Sequence, residues 1–241
     1  MVLIKRKKYG VTYYQKWFYD EIDLADAFRI VAYRQLSKRV SLQPFAMEIS
    51  YSIVIDLSRT IDEIFAQFAK QTRHQIKKAE QEGVKVTFDV QDKEFIDFFN
   101  KFAALRNLPI MTTSKLESFK NNKIIVASYV DTVPCAMRLY ICDGKIARSI
   151  CSATRTDNKI PTSILGWSNK LMRFETIKYL KEHGYETYDL GGYAKDTQDP
   201  KLRGINVLKE SFGGTIVEQY NYYSPLYKLA MKLGKGGWLC I

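Results

Sequence analysis

An aspartate followed by two glycines is the arrangement in this sequence best suited to chemistry. The alternating pattern of Tyr185–Leu190 predicts a strand, with Asp189 near its end and Gly191 and Gly192 directly after it. Glycines let a ligand approach the backbone closely and permit positive φ angles. Asp189 could therefore position a ligand or accept a proton. The alternative is that Asp189 caps the following segment and the two glycines form a plain turn.

Two groups of basic side chains could bind anions. One group recurs at three- and four-residue spacing and so shares one face of a predicted helix: Lys70, Arg73, His74 and Lys77. This face could bind the phosphates of a nucleotide-linked acceptor or of transfer RNA, and a solvated helix face is the alternative. In the second group, Lys201 and Arg203 add positive charge beside Lys209, which lies in a predicted helix.

The predicted elements that carry these side chains follow a definite order. From Val84 the periodicity predicts strand, helix, three strands, helix, strand, helix and strand. The ranges are Val84–Val90, Phe95–Leu105, Lys123–Val130, Val133–Cys142, Lys145–Thr154, Thr162–His183, Tyr185–Leu190, Gly204–Phe212 and Thr215–Asn221. Turn residues separate the three consecutive strands, which therefore form an antiparallel meander. The sequence predicts an α+β domain with a mixed central sheet flanked by helices.

The residues ahead of Val84 predict fewer elements. A helical pattern runs from Leu24 to Leu36, and Tyr51–Leu57 alternates as a strand. A long helix then begins at a cap, Ser58 or Thr60, and stops near Gly83. We divide the chain into an N-terminal extension packed on the core, residues 1–50, and the main domain, residues 51–241.

The end of the chain predicts a basic amphipathic segment. Pro225–Leu233 places apolar side chains on one face, which we expect to pack against the domain: Leu226, Leu229, Ala230 and Leu233. Lys228, Lys232 and Lys235 lie nearby, and Trp238 follows. Contact of this segment with an anionic membrane is the alternative.

Composition argues against several classes of site. None of the four cysteines, Cys135, Cys142, Cys151 and Cys240, forms a C-x-x-C pair, and the chain has only two histidines. A zinc site or a Ser-His-Asp or Cys-His catalytic site is therefore not expected, and no metal is predicted. The formal net charge of +11 favours anionic partners, although a merely basic surface would give the same value. Without a transmembrane stretch or signal peptide, a cytoplasmic location is expected, with the inner face of the membrane as an option.

Residues 56–83, 183–192 and 204–214 are three segments that, in this order, resemble the Fem family of peptidoglycan aminoacyltransferases. Residues 56–83 are similar to its strand ending in Asp-Leu-Ser and the following helix with Thr-Arg-x-x-Ile-x-Lys-Ala. Residues 183–192, HGYETYDLGG, resemble its strand ending in Gly-Gly, and residues 204–214, GINVLKESFGG, its Lys-x-x-Phe-Gly-Gly helix. The resemblance covers about residues 53–228. It departs in one respect, since Fem proteins carry two domains and the 50 residues ahead of Tyr51 are too few for the first.

The resemblance implies the fold of the Gcn5-related N-acetyltransferases (GNAT), also called the acyl-CoA N-acyltransferase fold. It further implies transfer of an aminoacyl or other acyl group to an amine of a bacterial cell-wall or surface-polysaccharide precursor. Acyl-CoA-dependent N-acylation of an amino sugar or another small amine is the second hypothesis. A non-enzymatic module that binds RNA or a membrane is the third.

The donor site follows from the same resemblance. Such enzymes hold the donor where two neighbouring strands splay apart, here Lys145–Thr154 and Tyr185–Leu190. The loop motif that binds CoA needs several glycines, whereas Lys159–Trp167 contains one. No cofactor is required, and the anionic donor is aminoacyl-tRNA or acyl-CoA, with the loop favouring the first. The acceptor amine could be nucleotide- or lipid-linked.

The resemblance also names site residues. Asp189 and Lys209 are the expected catalytic residues, although a solvated helix position is the alternative for Lys209. The expected donor- and acceptor-binding residues are Arg73, Lys77, Trp167, Gly191, Gly192, Tyr193, Arg203 and Phe212. For Trp167 the alternative is a role in the core.

Overall fold

A computed structural model describes residues 1–8 and 10–233 of the chain. Its strands are β1 (Val2–Lys8), β2 (Val11–Trp17), β3 (Val31–Leu36), β4 (Ala46–Asp56), β5 (Val84–Thr87), β6 (Lys123–Val130), β7 (Val133–Cys142), β8 (Ile146–Thr154), β9 (Thr187–Tyr193) and β10 (Thr215–Tyr223). Its helices are α1 (Ile61–Ala66), α2 (Lys70–Gln81), α3 (Asp92–Arg106), α4 (Thr113–Glu117), α5 (Thr162–Glu182), α6 (Pro200–Glu210) and α7 (Pro225–Leu233), with a 3₁₀ helix at Leu24–Phe28.

The ten described strands form one mixed sheet, in the order β1-β2-β3-β10-β4-β9-β8-β7-β6-β5. The β2–β3 and β8–β9 pairs are parallel, and the other pairs are antiparallel. The predicted α+β class, the mixed sheet and the β6–β7–β8 meander are confirmed.

The sheet opens between β8 and β9. These strands pair only from Ile146 to Arg148, opposite Thr187 to Asp189, although both strands continue beyond that point. A bulge lies at the same place, because Leu139 of β7 pairs with Cys151 and Tyr140 pairs with Ser149. One residue of β8 is therefore left out of the regular ladder. The divergence that we predicted between these two strands is present.

Helices and strands cover the two faces of the sheet with separate cores. Alternate residues of β7 point to opposite faces. Tyr140 belongs to a cluster with residues of α1, α2 and α5. Leu139 belongs to a second cluster with residues of α3, β1 and β2. Side chains at the β8–β9 opening therefore point toward one or the other of these two cores.

The N-terminal segment differs from our prediction. The helical pattern from Leu24 to Leu36 was wrong beyond the 3₁₀ helix, because Val31–Leu36 forms β3. Tertiary pairing overrides the helical spacing, since β3 pairs with both β2 and β10. Strand β4 begins at Ala46 and so crosses residue 50, while β1–β3 extend the same sheet.

The helix expected between residues 58 and 83 is broken in two. Thr60 caps α1 in a capping box with Glu63, as one of our two options predicted. The break follows because Phe68 turns into the core and the Ala69 N–H donates to the Ser211 carbonyl. Gly83, with a φ of 70°, follows the end of α2 as expected.

The face of α7 that we expected to pack is exposed. Leu226, Leu229 and Leu233 are open to solvent, whereas Tyr227 is buried and stacks on Tyr223 with ring centroids 5.3 Å apart. The Tyr227 ring occupies the interface between α7 and the sheet, so the three leucines face solvent. Of the predicted face, only Ala230 packs against the cluster around Tyr227. The final residues of that prediction, Lys235 and Trp238, lie outside the described residues.

Candidate active site

Asp189 lies at the centre of a polar cluster that four strands build beneath the β8–β9 opening. The β8–β9 register places Arg148 opposite Asp189, and the two side chains form a buried ion pair. The Arg148 guanidinium also donates to the Ser52 hydroxyl at 2.5 Å, and the Gln219 amide donates to Asp189 at 3.3 Å. Each charge in this cluster has an opposite charge and hydrogen-bond partners, as burial requires.

The two glycines after Asp189 shape the opening. The Asp189 carboxylate accepts the N–H of Gly191 at 2.7 Å. Gly191 has a φ of 86°, and a Cβ there would lie 2.8 Å from the Ser149 carbonyl oxygen. Only glycine fits this position, because both the φ angle and the close approach exclude a side chain. The carbonyl of Gly192 accepts a hydrogen bond from the Lys209 ammonium.

Lys209 is a buried lysine in the last turn of α6, with 8% of its surface exposed. Burial, together with the charges of Arg173 and Arg148, lowers its pKa to about 7. Asp189 acts in the opposite direction. A lysine with a pKa near 7 exists in both protonation states at neutral pH, so it can give or accept a proton there.

Two further arginines lie close to Lys209. Arg138 of β7 and Arg173 of α5 are both buried, and the Arg138 guanidinium donates to the Ser149 hydroxyl at 3.0 Å. The Arg173 guanidinium lies over the Phe212 ring, 5.4 Å from its centroid. Burial lowers the pKa of Arg173, and so does the charge of Arg138. The opening between β8 and β9 is therefore strongly positive.

Comparison with known proteins identifies this architecture. The model of the FemAB family matches residues 41–121. The crystal structure of FemX superposes with a TM-score of 0.66 at 12% identity, over 96% of this chain and 85% of that one. The chain therefore shares the fold of FemX, and part of it is similar in sequence to the FemAB family.

Two other solved structures share this fold. The C-terminal domain of a putative lysylphosphatidylglycerol synthetase from Agrobacterium fabrum gives a TM-score of 0.59 at 15% identity, over 96% of this chain and 83% of that one. L-PGS from Bacillus licheniformis gives 0.53 at 12% identity, over 92% and 80%. No curated protein sequence matches the chain. The family match and the shared fold support an acyl- or aminoacyl-transferase family.

Of the predicted residues near Asp189, Phe212 and Tyr193 pack around α6, whereas Arg203 is exposed. Phe212 is buried and packs edge-to-face on Phe68, with centroids 5.2 Å apart. The Tyr193 hydroxyl donates to Glu210 at 2.7 Å, on the same helix as Lys209. Arg203 lies on the exposed part of α6, at its N-terminal half.

The predicted residues on α2 and α5 lie apart from this cluster. Arg73 donates to the carbonyls of Ala66 and Phe68, both at 2.7 Å, and so braces the break between α1 and α2. Lys77 is exposed on α2. The half-buried Trp167 packs on the core and carries the Lys78 ammonium 5.5 Å from its ring centroid. The roles expected for these residues in binding stay predictions.

Sequence reasoning missed the arginines of the opening. Arg138 stands among the buried residues of β7, Arg148 in β8 and Arg173 among the buried residues of α5. The signal was present, because each is a cation inside an otherwise apolar run that periodicity predicts to be buried. Ser52 and Gln219 carried no such signal, since short polar residues are common in strands with one solvated face.

Other kinds of site are not apparent in the described part of the chain. No three histidine, cysteine, aspartate or glutamate side chains among residues 1–8 and 10–233 come together as metal ligands. None of the helices described there is long and apolar enough to span a bilayer. Cys240, one of the cysteines considered above, lies outside the described residues.

Proposed function

We propose that this protein transfers an aminoacyl or other acyl group to an amine of a cell-wall or surface-polysaccharide precursor. The observation that carries the proposal is Lys209, a buried lysine with its pKa lowered to about 7, held at the opening between β8 and β9. Acyl transfer to an amine requires a held carbonyl, an acceptor for the amine proton and stabilisation of the oxyanion. The opening supports all three requirements.

The acyl carbonyl would lie against the bulge of β8. There the residue between Ser149 and Cys151 is left out of the ladder, so backbone groups of β8 can face the donor. The cations around the opening favour negative charge on the carbonyl oxygen as the tetrahedral intermediate forms. Because Gly191 has no side chain, its backbone can lie close to the Ser149 carbonyl of β8 in this region.

Lys209 is assigned the proton-accepting role. A neutral lysine amine can still donate one hydrogen bond to the Gly192 carbonyl while its lone pair takes the proton of the attacking amine. A pKa near the working pH suits this task. Asp189 is assigned to positioning, because Arg148, Gln219 and the Gly191 N–H already occupy its carboxylate.

Aminoacyl-tRNA is the donor we favour, because the loop before α5 has one glycine and the solved structures that share the fold include the C-terminal domain of a putative lysylphosphatidylglycerol synthetase. Acyl-CoA is the second candidate. It is favoured by the first turn of α5, where no side chain caps the N–H groups and a pyrophosphate could bind.

A transfer assay separates these candidates. Purified protein is mixed with a mixture of charged tRNAs and a nucleotide-linked muropeptide precursor, and products are read by mass spectrometry. The proposal expects an aminoacylated precursor. Acetyl-CoA and longer acyl-CoAs are titrated by calorimetry in parallel, and tight binding of one without transfer from any tRNA would replace the aminoacyl version with the acyl-CoA version. Absence of both activities would contradict the proposal.

An exposed apolar surface supports contact with an anionic membrane, where a lipid-linked acceptor would lie. Leu24 and Phe28 of the 3₁₀ helix adjoin the exposed Leu226 and line the same 490 Å³ groove, and Lys228 and Lys232 project from α7. Apolar side chains flanked by lysines suit the interface of an anionic bilayer.

Vesicle sedimentation tests this contact. We expect the protein to bind vesicles containing phosphatidylglycerol and Phe28→Glu to lose most of that binding. Leu105→Glu, at a similarly exposed apolar position on α3, is the matched control and should bind normally. Equal binding by Phe28→Glu and the control would refute the membrane contact.

A further inference from the structure

Two buried guanidiniums at the β8–β9 opening have no carboxylate partner. Arg138 and Arg173 are 5% and 4% exposed. Neither forms an ion pair with an aspartate or glutamate among the described residues, where Asp189 is paired with Arg148. Burial of unpaired charge is strongly unfavourable, so folded proteins rarely retain it without a purpose.

The two guanidiniums also have unused hydrogen-bond donors. Within the described chain, Nε of Arg138 and both Nε and Nη1 of Arg173 have no hydrogen-bond partner. Buried polar atoms are nearly always satisfied, and an exception calls for an explanation. These three N–H groups belong to side chains that are at least nine-tenths buried, and both guanidiniums lie close enough to Lys209 to lower its pKa.

The neighbouring side chains fix the positions of the two guanidiniums without neutralising their charge. Phe212 packs under Arg173, and the Ser149 hydroxyl accepts from Arg138. The hydroxyls of Tyr140 and Tyr188 lie 3.0 Å apart beside the same arginines, and burial raises the pKa of Tyr140, so that its hydroxyl stays neutral. These neutral partners position two guanidinium groups, whose planar arrangement of N–H donors matches the geometry of an oxyanion.

We propose that Arg138 and Arg173 form, beside Lys209, a binding site for a small oxyanion, a carboxylate or phosphate group carried by the donor or the acceptor. The source of the oxyanion rests on the proposed acyl transfer, whereas the site itself rests on the buried cations and their unused donors. A carboxylate would come from the transferred group or the acceptor, and a phosphate from the nucleotide end of the donor or a nucleotide-linked acceptor. We call this site the anion site.

The first test needs no transfer activity. The midpoint temperature of unfolding (Tm) of the full chain is measured in sodium phosphate, sodium acetate and sodium chloride at equal ionic strength. We expect phosphate or acetate to raise the Tm above the chloride value by about 5 °C at roughly 100 times the dissociation constant. The anion with the larger effect identifies the chemistry, and no rise over chloride with either anion overturns the proposal.

Variants locate the effect. Arg173→Met and Arg138→Met should each lose the anion-dependent rise. Each should also unfold at an unchanged or higher temperature without anion, because a methionine removes an uncompensated buried charge. A purely structural arginine would do the opposite. Arg106→Met, an exposed arginine of α3, is the matched control and should retain the rise.

The outcomes separate this inference from the proposed function. If anions stabilise the protein through Arg138 and Arg173 but no acyl group is transferred, the anion site is supported and the proposed function is contradicted. If Arg138→Met transfers at the wild-type rate, or both methionine variants retain the anion effect, the anion site is contradicted and the proposed function is not. If Arg173→Met does not fold, the wild-type titration and Arg138→Gln still decide.

Discussion

Two neighbouring clusters of buried charge differ in whether their charges are paired. The Arg148–Asp189 cluster is closed, because its opposite charges meet and Ser52 and Gln219 supply further partners. The anion site is open, since its cations outnumber any carboxylate nearby and several of its donors are unused. We assign the closed cluster to stabilising the sheet, because its residues join β4, β8, β9 and β10. We assign the open cluster to ligand binding. The predictions below are ordered from the largest expected effect to the smallest.

Removing Lys209 should have the largest effect on chemistry. We expect Lys209→Met to lower the transfer rate by about 10²- to 10⁴-fold, because it removes the proton acceptor. Lys209→Arg should be similarly inactive, since arginine stays protonated. Lys85→Met, an exposed lysine of β5 at the far edge of the sheet, is the control and should retain full activity. An active Lys209→Arg enzyme would instead make the cation itself the requirement.

Breaking the closed cluster should have the largest effect on stability. Asp189→Asn leaves Arg148 buried without an opposite charge, which should lower the free energy of unfolding by about 3–5 kcal/mol. Glu186→Gln removes one partner of an exposed pair with Lys145 and should change it by less than about 1 kcal/mol. Urea denaturation measures both variants. An Asp189→Asn protein as stable as the Glu186→Gln protein would contradict the assignment of the closed cluster to structure.

Lys209, which lies beside the open cluster, should make stability depend on pH. Lys209 titrates at its ordinary value of 10.5 when unfolded and at about 7 when folded. Between these values the unfolded chain binds more protons, so stability rises with pH by up to about 1.4 kcal/mol per unit from this group. Lys209→Met should reduce the slope between pH 7 and 9, measured by urea denaturation, whereas Lys85→Met should not. Identical slopes in all three proteins would mean that Lys209 is not a titrating buried group.

The smallest expected effect is on one hydrogen bond of the closed cluster. Ser52→Ala removes an acceptor of the Arg148 guanidinium and should lower the free energy of unfolding by about 1–2 kcal/mol. It should leave the phosphate- or acetate-dependent rise in Tm intact, since Ser52 belongs to the other cluster. Loss of that rise in Ser52→Ala would show that the two clusters act as one.

The same contrast shows how far sequence could predict this molecule. Periodicity predicted the meander and α5, because these elements follow local patterns that tertiary packing preserves, whereas the β8–β9 opening was predicted from the family resemblance. It failed at Val31–Leu36, where pairing with two strands overrides a helical spacing, and at Phe68, where one ring entering the core breaks a helix. Both failures depend on contacts distant in sequence.

The candidate site was predicted in the same uneven way. Asp189, Gly191 and Lys209 stand in short local motifs, so the sequence could single them out. Arg148 and Gln219 reach Asp189 from strands 41 and 30 residues away in sequence, and only the sheet order brings them together. The distribution of charge between an open and a closed cluster is a property of that assembly.

A crystal structure with the donor or its non-hydrolysable analogue bound tests the central claim most directly. We predict ligand density between β8 and β9, with an oxyanion within hydrogen-bond distance of Arg138 and Arg173 and the acyl carbonyl near Lys209. The Arg148–Asp189 pair should be unchanged. A ligand bound elsewhere, with both guanidiniums still lacking partners, would contradict the account.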